Sequence, residues 1–258
     1  MPIKQIAIYG SGGFGREVAW LAENCPDYEV ACFIDDDPLK NNQVINDIPV
    51  VSFENACRDL SKNSGIVSAI GSPKIRCSVM EKVHKAGFET ASLIHPRTEL
   101  SRWVDMGEGV VICAGCILTT NIKIGNHVQI NLDCTIGHDV IMDDYSTLAP
   151  GVHLSGYVSL GKRVYVGTGA VFLNGTKENP LFIGDDVVIG AGACVTKSVT
   201  SGTWGGCPQE KLENPDPEIS ESSSDRFRQW QYPDIVDGQP TALGWHWGLT
   251  LLTHCFYV

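Results

Sequence analysis

A period of six residues, sustained from position 104 to position 199, constrains the fold of this chain more than any other feature of the sequence. Every sixth residue from Val104 to Ala170 is small or β-branched, and a second row two residues further on, from Ile112 to Phe172, is mostly large and aliphatic. Residues 176–180 interrupt the count, which then resumes at Leu181.

No α-helix has a period of six, and a hairpin meander would not keep this register for so long. Short parallel strands with a corner every six residues do keep it, and three such faces make a coil of 18 residues. We therefore predict a left-handed parallel β-helix of about five coils, with the large aliphatic residues inside and residues 176–180 looped out at a corner. A three-sided prism packs well on copies of itself, so we expect a homotrimer.

Residues 1–95 follow a different pattern, in which strands alternate with helices as in a parallel α/β sheet of Rossmann type. Gly10, Gly12 and Gly15 satisfy G-x-G-x-x-G, and Asp35 follows about 20 residues later. Such a turn lets the backbone approach an anionic ligand, and the acid accepts hydrogen bonds from a ribose or base. A nucleotide-sugar, a dinucleotide such as NAD, and a purely structural glycine turn all fit this pattern.

His138 is the candidate catalytic residue of the β-helix, because it lies two residues after the inward-facing Ile136 and hence at a corner. Asp139 adjoins it, Asn131 lies on the preceding turn, and Gly156 falls one coil further on. An imidazole supported by a carboxylate is suited to take a proton from an amine or hydroxyl that attacks an acyl group.

The other histidines and the cysteines do not predict a metal centre. His127 and His153 are assigned to other corners, and their spacings from His138 differ from the 18 residues that stack side chains on adjacent coils. Catalysis by a metal held between these three histidines is therefore not expected. Cys113 and Cys116 form a single C-x-x-C pair that the repeat itself explains.

Composition and charge limit the classes of partner and the cellular location that we expect for this chain. The 258 residues carry a formal net charge of −11, which argues against a nucleic-acid surface. The N-terminus does not resemble a secretory signal, and no apolar stretch is long enough to span a membrane. With ten scattered cysteines, we expect a cytoplasmic protein with reduced thiols. Residues 213–258 form an acidic, tryptophan-containing extension of net charge −5, whose role the sequence does not decide.

Several ordered motifs, "GSGGFGREVA", "FIDDDP", "AIGSPKIR", "LIHPRTELS" and "IGHDVIMDDYSTLAPGVHLSG", give the chain a family resemblance. Over residues 1–212 it resembles the bacterial sugar acetyltransferases of the sialic-acid O-acetyltransferase type, which include the nucleotide-4-aminosugar N-acetyltransferases. This resemblance implies a nucleotide-sugar-binding domain at 1–95, a β-helix at 96–212 that binds acetyl-CoA, and catalysis between the subunits of a trimer.

The resemblance also implies roles for individual residues. His138 matches the general base, Asp139 the acid that increases its basicity, and Asn131 a substrate-positioning asparagine. The positions that match nucleotide-sugar contacts are Gly12, Gly13, Phe14, Asp35, Asp36 and Gly71. The positions that match acetyl-CoA contacts are Thr147, Gly156, Thr168 and Ala191. Thr147 replaces a histidine found in some relatives, and Gln209 replaces the alanine of a usual G-x-P-A-K ending.

Together these observations predict direct acetyl transfer to the amino group of a nucleotide-linked 4-amino-4,6-dideoxysugar. O-acetylation of a sugar hydroxyl would use the same residues. A non-catalytic, nucleotide-sensing scaffold is the alternative from a different class, and acetyl-CoA binding would distinguish it from either enzyme.

Overall fold

The computed structural model describes residues 4–211, which form an α/β unit followed along the chain by a triangular β-helix. The predicted extension at 213–258 lies outside the described residues. Within 4–211, no helix is both long enough and apolar enough to cross a lipid bilayer.

The first part of the chain alternates strands and helices as the sequence predicts. In chain order its elements are β1 (Lys4–Tyr9), α1 (Gly13–Glu23), β2 (Tyr28–Ile34), β3 (Val44–Ile45), β4 (Ile48–Val51), α2 (Phe53–Asp59), β5 (Gly65–Ser68), α3 (Pro73–Lys85) and β6 (Glu89–Thr90).

The order of strands in this sheet is β3-β4-β2-β1-β5-β6, and every pair is parallel except the short hairpin β3–β4. The chain moves outward from β1 to β2 and β4, and then returns to the other side of β1 with β5. In parallel α/β sheets, such a reversal leaves a crevice at the carboxyl ends of the two strands that flank it. The predicted Rossmann-like domain is confirmed.

The second part of the chain consists of short strands separated by corners. They are β7 (Leu93–Ile94), β8 (Glu99–Leu100), β9 (Val104–Met106), β10 (Val111–Ile112), β11 (Ile117–Leu118), β12 (Ile122–Ile124), β13 (Gln129–Ile130), β14 (Thr135–Ile136), β15 (Ile141–Met142), β16 (Thr147–Leu148), β17 (His153–Leu154), β18 (Val158–Leu160), β19 (Tyr165–Val166), β20 (Val171–Phe172), β21 (Leu181–Ile183), β22 (Val188–Ile189), β23 (Cys194–Val195), β24 (Thr203–Gly205) and β25 (Glu210–Lys211).

These strands form three faces, which confirms the predicted left-handed parallel β-helix. The first face runs from β7 through β10, β13, β16, β19 and β22 to β24 and β25, the second from β8 to β23, and the third from β9 to β21. Paired residues are 18 apart in most of the helix, as in the pairs Ile112–Ile130 and Ile136–Leu154. Both rows of the repeat are buried, so the small and the large residues share the interior.

Most corners contain one residue with a positive φ. At the corner between the second and third faces, Asn121, Asp139 and Tyr157 have φ values of 55°, 57° and 55°. Asparagine and aspartate tolerate this left-handed region better than most residues, whereas tyrosine does not. The coil therefore holds Tyr157 in a costly backbone conformation at the corner that also carries His138.

The five residues 176–180 lie where the sequence places them, at this same corner. They lengthen the coil between β20 and β21, so that Val158 pairs with Leu181 at a spacing of 23. At the end of the helix, Gln209 is buried and its side chain bonds the main chain of Thr196 (2.6 Å) and Lys197 (2.8 Å). The glutamine therefore satisfies backbone groups of the last coil, a function that alanine cannot perform.

Candidate functional site

His138 lies in the turn between β14 and β15, and its ring is about half exposed. Its Nδ1 is 2.8 Å from Oδ2 of Asp139, whose left-handed backbone turns the carboxylate back toward the preceding ring. The hydrogen bond with His138 holds the pKa of Asp139 below its usual value. With Nδ1 bonded to the carboxylate, the Nε2 atom of His138 is left to accept a proton.

Gly156 lies on the next coil, directly against this ring. A Cβ atom at position 156 would be 2.5 Å from both Nε2 and Cε1 of His138, a distance that no real contact allows. Tyr157 approaches the imidazole edge-on, with 5.2 Å between ring centroids. The imidazole can therefore occupy this position only because residue 156 has no side chain.

A groove of about 370 Å³ runs along the third face beside this corner. Asp139 and Tyr157 line it near His138, Lys123 lies on the face itself, and Lys177 and Pro180 of the five-residue loop also line it. The loop thus extends the corner next to His138.

Asn131, Thr168 and Ala191 share a different corner, the one between the first and second faces. Thr168 and Ala191 are exposed and stack one above the other, since the main-chain N–H of Gly192 donates to the Thr168 carbonyl at 2.8 Å. Asn131 is buried, and its amide nitrogen donates to the Leu148 carbonyl at 2.8 Å. Within one chain these three residues therefore do not lie near His138. This includes Asn131, which the sequence analysis placed beside His138.

Thr147, predicted to contact acetyl-CoA, has a buried side chain in the structure. Its side chain is buried, accepts a hydrogen bond from Arg76 at 2.9 Å and donates one to the Gly71 carbonyl at 3.0 Å. The side chain of Thr147 therefore joins the two parts of the chain.

Arg76, which the sequence analysis did not identify, is at the centre of this junction. It projects from α3, is fully buried, and donates to the side chains of Gln129 (2.7 Å) and Thr147 and to several main-chain carbonyls. Burial lowers the pKa of the guanidinium to about 9, so it stays charged at neutral pH. Within 4–211 no carboxylate forms a salt bridge with it, so neutral acceptors alone solvate the charge.

The glycine motif follows β1 at the crevice of the sheet. Gly10 has a φ of 108°, and a Cβ atom on Gly15 would be 2.1 Å from the Gly10 carbonyl oxygen, so both positions require glycine. Gly12 caps α1, which begins at Gly13, and both have open space above them. The motif therefore leaves the amino end of a helix uncovered, where an anion binds well.

Asp35 and Asp36 line a cavity of about 360 Å³ together with Gly12. Burial acts to raise the pKa of Asp35, but hydrogen bonds from Ser11, Asp37 and Lys40 outweigh it, and the pKa lies below its usual value. Asp35 thus holds the loop together.

Asp36 is more than half exposed; it accepts hydrogen bonds from the Tyr9 hydroxyl (2.8 Å) and from Lys82 (3.0 Å). The exposed carboxylate is therefore the one available to a ligand. Phe14 packs partly against the core of the domain, and the Gly71 carbonyl is turned toward Thr147.

Comparisons with known proteins agree with this architecture. Residues 5–83 match the PglD N-terminal domain. The chain is 31% identical over 182 residues to the GDP-perosamine N-acetyltransferase of Escherichia coli O157:H7, covering 69% of this chain and 81% of that protein.

Two solved structures superpose on most of the chain. The acetyltransferase domain of PglB from Neisseria gonorrhoeae, in complex with acetyl coenzyme A, has a TM-score of 0.74 and 30% identity over 81% of this chain and 99% of that one. PerB from Caulobacter crescentus, in complex with CoA and GDP-perosamine, has a TM-score of 0.73 and 29% identity over 82% and 98%. The chain is therefore an acyltransferase and belongs to the hexapeptide-repeat sugar acetyltransferases, the family that includes the nucleotide-aminosugar N-acetyltransferases.

Proposed function

We propose that this protein transfers the acetyl group of acetyl-CoA to the amino group of a nucleotide-linked 4-amino-4,6-dideoxysugar. The observation that carries the proposal is the His138–Asp139 pair, bonded at 2.8 Å with Nε2 left free at a corner of the β-helix. It is supported by the two similar structures, one with acetyl coenzyme A and one with CoA and GDP-perosamine.

The reaction is a direct transfer. The unprotonated amine of the sugar attacks the thioester carbonyl, and Nε2 of His138 removes a proton as the C–N bond forms. Asp139 stabilises the resulting imidazolium, which then protonates the departing CoA thiolate as the C–S bond breaks. Holding both reactants at one corner supplies the proximity that the reaction needs.

We assign the nucleotide to residues 1–95. The phosphates would lie over Gly12 and Gly13 at the start of α1, where the positive end of the helix dipole favours an anion. Asp36, with Phe14 and Gly71 nearby, would contact the rest of the nucleotide-sugar, and Asp35 would hold the loop in shape.

We assign acetyl-CoA to residues 96–212, at a cleft between two chains of a homotrimer. His138 and Gly156 of one chain would face Asn131, Thr168 and Ala191 of the next. Because one chain places these two groups on different corners, only a second copy brings them together.

The test replaces His138 with glutamine, which keeps a polar side chain of similar size without a titratable nitrogen. With GDP-perosamine and other nucleotide-linked aminosugars as acceptors, we expect turnover to fall by about 10²–10⁴-fold with the unfolding temperature unchanged. Release of free CoA thiol measures the rate, and His153→Gln, which changes a histidine of β17 on the next coil, is the matched control.

Each alternative gives a different result. A full rate in His138→Gln would remove the assignment of the base. Acetylation of a hydroxyl acceptor that lacks an amine, at a rate equal to that of the aminosugars, would favour O-acetylation. Failure of the wild-type chain to bind acetyl-CoA in a calorimetric titration would leave only a scaffold.

A further inference from the structure

His84, Glu108 and His127 form a second cluster of chemically active side chains. One nitrogen of each histidine and one carboxylate oxygen all lie within 4.8 Å of one another. His84 comes from the last turn of α3, whereas Glu108 and His127 occupy consecutive coils at the corner between the third and first faces. This corner is not the one that carries His138.

His127 is the fixed member of the cluster. Its side chain is 2% exposed, and its Nε2 has no hydrogen-bond partner in the described part of the chain. The ring stacks on Tyr145 at a centroid distance of 4.9 Å, and it fills the space left by Gly109, where a Cβ atom would be 2.2 Å from Nδ1. A buried polar ring without a partner costs free energy unless it binds something.

The other two members are exposed and can move. The ring of His84 has its centroid 5.4 Å from that of His127. The main chain of Glu108 is held next to His127, because the His127 N–H donates to the Glu108 carbonyl at 2.7 Å. Ligand atoms of a tetrahedral zinc lie roughly 3–4 Å apart, given metal–ligand distances of about 2.0–2.2 Å. Small rotations of the two exposed side chains would close the present separation.

We propose that His84, Glu108 and His127 bind a Zn²⁺ ion, with water as the fourth ligand, and that this ion links α3 to the β-helix. Two imidazoles with one carboxylate suit zinc, whereas Mg²⁺ and Ca²⁺ prefer oxygen ligands throughout. The ion would take no part in the acetyl transfer proposed at His138, since it lies at a different corner. The spacing of the β-helix histidines argues against a site shared by His127, His138 and His153, whereas this site takes its second histidine from α3.

The test is calorimetric titration of the chelator-treated full chain with Zn²⁺. We expect one ion per chain and a higher unfolding temperature when zinc is present. His84→Ala and Glu108→Gln change exposed side chains, so both variants should fold, and each should weaken binding by at least about tenfold. His153→Ala, which removes an exposed histidine outside the cluster, should bind zinc as the wild type does.

Three results would overturn the proposal. The first is no zinc binding by the wild-type chain, which would show that the three side chains pack together without binding an ion. The second is equal binding by the wild type and His84→Ala, which would move the ion to other surface groups. The third is full binding by Glu108→Gln, which would exclude the carboxylate as a ligand.

Discussion

Because Gly156 has no side chain, the ring of His138 can lie directly against its backbone. Gly156→Ala would place a Cβ atom 2.5 Å from Nε2 and Cε1, so the imidazole must rotate away from its position. A displacement of about 1 Å at a reacting group costs on the order of 10²-fold in rate. We therefore expect Gly156→Ala to lower kcat by about that factor, measured as thiol release, while the fold persists.

A second glycine of the β-helix separates this effect from a general cost of adding a methyl group. At Gly125, at the corner between the third and first faces, the added atom would be 2.7 Å from the main-chain nitrogen of Asp144, a similar clash that involves no residue of the proposed transfer site. Equal losses of activity in Gly125→Ala and Gly156→Ala would show that the position of the imidazole ring is not the cause.

Asp35 makes the stability of the first domain depend on pH. Its folded-state pKa is lowered, so the stability it contributes is complete above the unfolded pKa of about 3.9 and is lost as the pH falls through the folded value. Asp35→Asn should reduce the free energy of unfolding by about 1–3 kcal/mol at pH 7. Urea denaturation at a series of pH values should show this difference shrinking below about pH 4. A difference that stays constant down to pH 2 would contradict the role of the carboxylate.

At the scale of single residues, the sequence identifies groups whose partners are close along the chain. The pairing of His138 with Asp139 was predictable because the two residues are adjacent, and the need for Gly10 and Gly15 follows from one turn. Arg76 and Thr147 were not predictable as partners, because 71 positions separate them and only the packing of α3 on the β-helix brings them together. The approach of His84 to His127 has the same origin.

At the scale of elements, the loop at 176–180 can be removed without a change of register. The Gly175 N–H donates to the Gly156 carbonyl and the Leu181 N–H to the Tyr157 carbonyl, so joining Gly175 to Leu181 restores a regular coil. Deletion of residues 176–180 should therefore give a folded protein. Because Lys177 and Pro180 line the groove beside His138, the KM for acetyl-CoA should rise.

A deletion of equal length inside a coil is the control. Removing residues 164–168 would shift every later strand out of register and expose its inward-facing residues, so that protein should not fold. Circular dichroism during thermal unfolding distinguishes the two. An unfolded 176–180 deletion would show that the loop is part of the framework, and an unchanged KM would remove it from the cofactor site.

The regular elements were predictable and the irregular ones were not. The period of six fixed the strands and the site of the insertion because each coil must repeat the same inward positions. The hairpin of β3 and β4 and the short helix α2 lie between the recognisable strands and carry no comparable periodicity.

The assignment of His153 to a corner was wrong, since it lies within β17. The secondary structure of such segments is set by tertiary packing and not by a local sequence pattern.

At the scale of the whole molecule, the two groups of proposed site residues lie at different corners, so the proposed cleft would need a second chain. His138 and Gly156 face one way, and Thr168 and Ala191 face another. A single chain can therefore form only half of each proposed cleft, and two differently damaged chains should complement each other when they assemble together.

Such complementation is quantitative. His138→Ala destroys the base, and Ala191→Trp would block the facing wall with a bulky side chain, so each homotrimer alone should be nearly inactive. The two variants are denatured, mixed in equal amounts and refolded, so that their chains assemble at random. An intact cleft then combines His138 from an Ala191→Trp chain with Ala191 from a His138→Ala chain, and about a quarter of all clefts have this combination. We expect about a quarter of wild-type activity, measured as thiol release at equal chain concentration. If the cleft lies within one chain, the mixture will show only the average of the two inactive proteins.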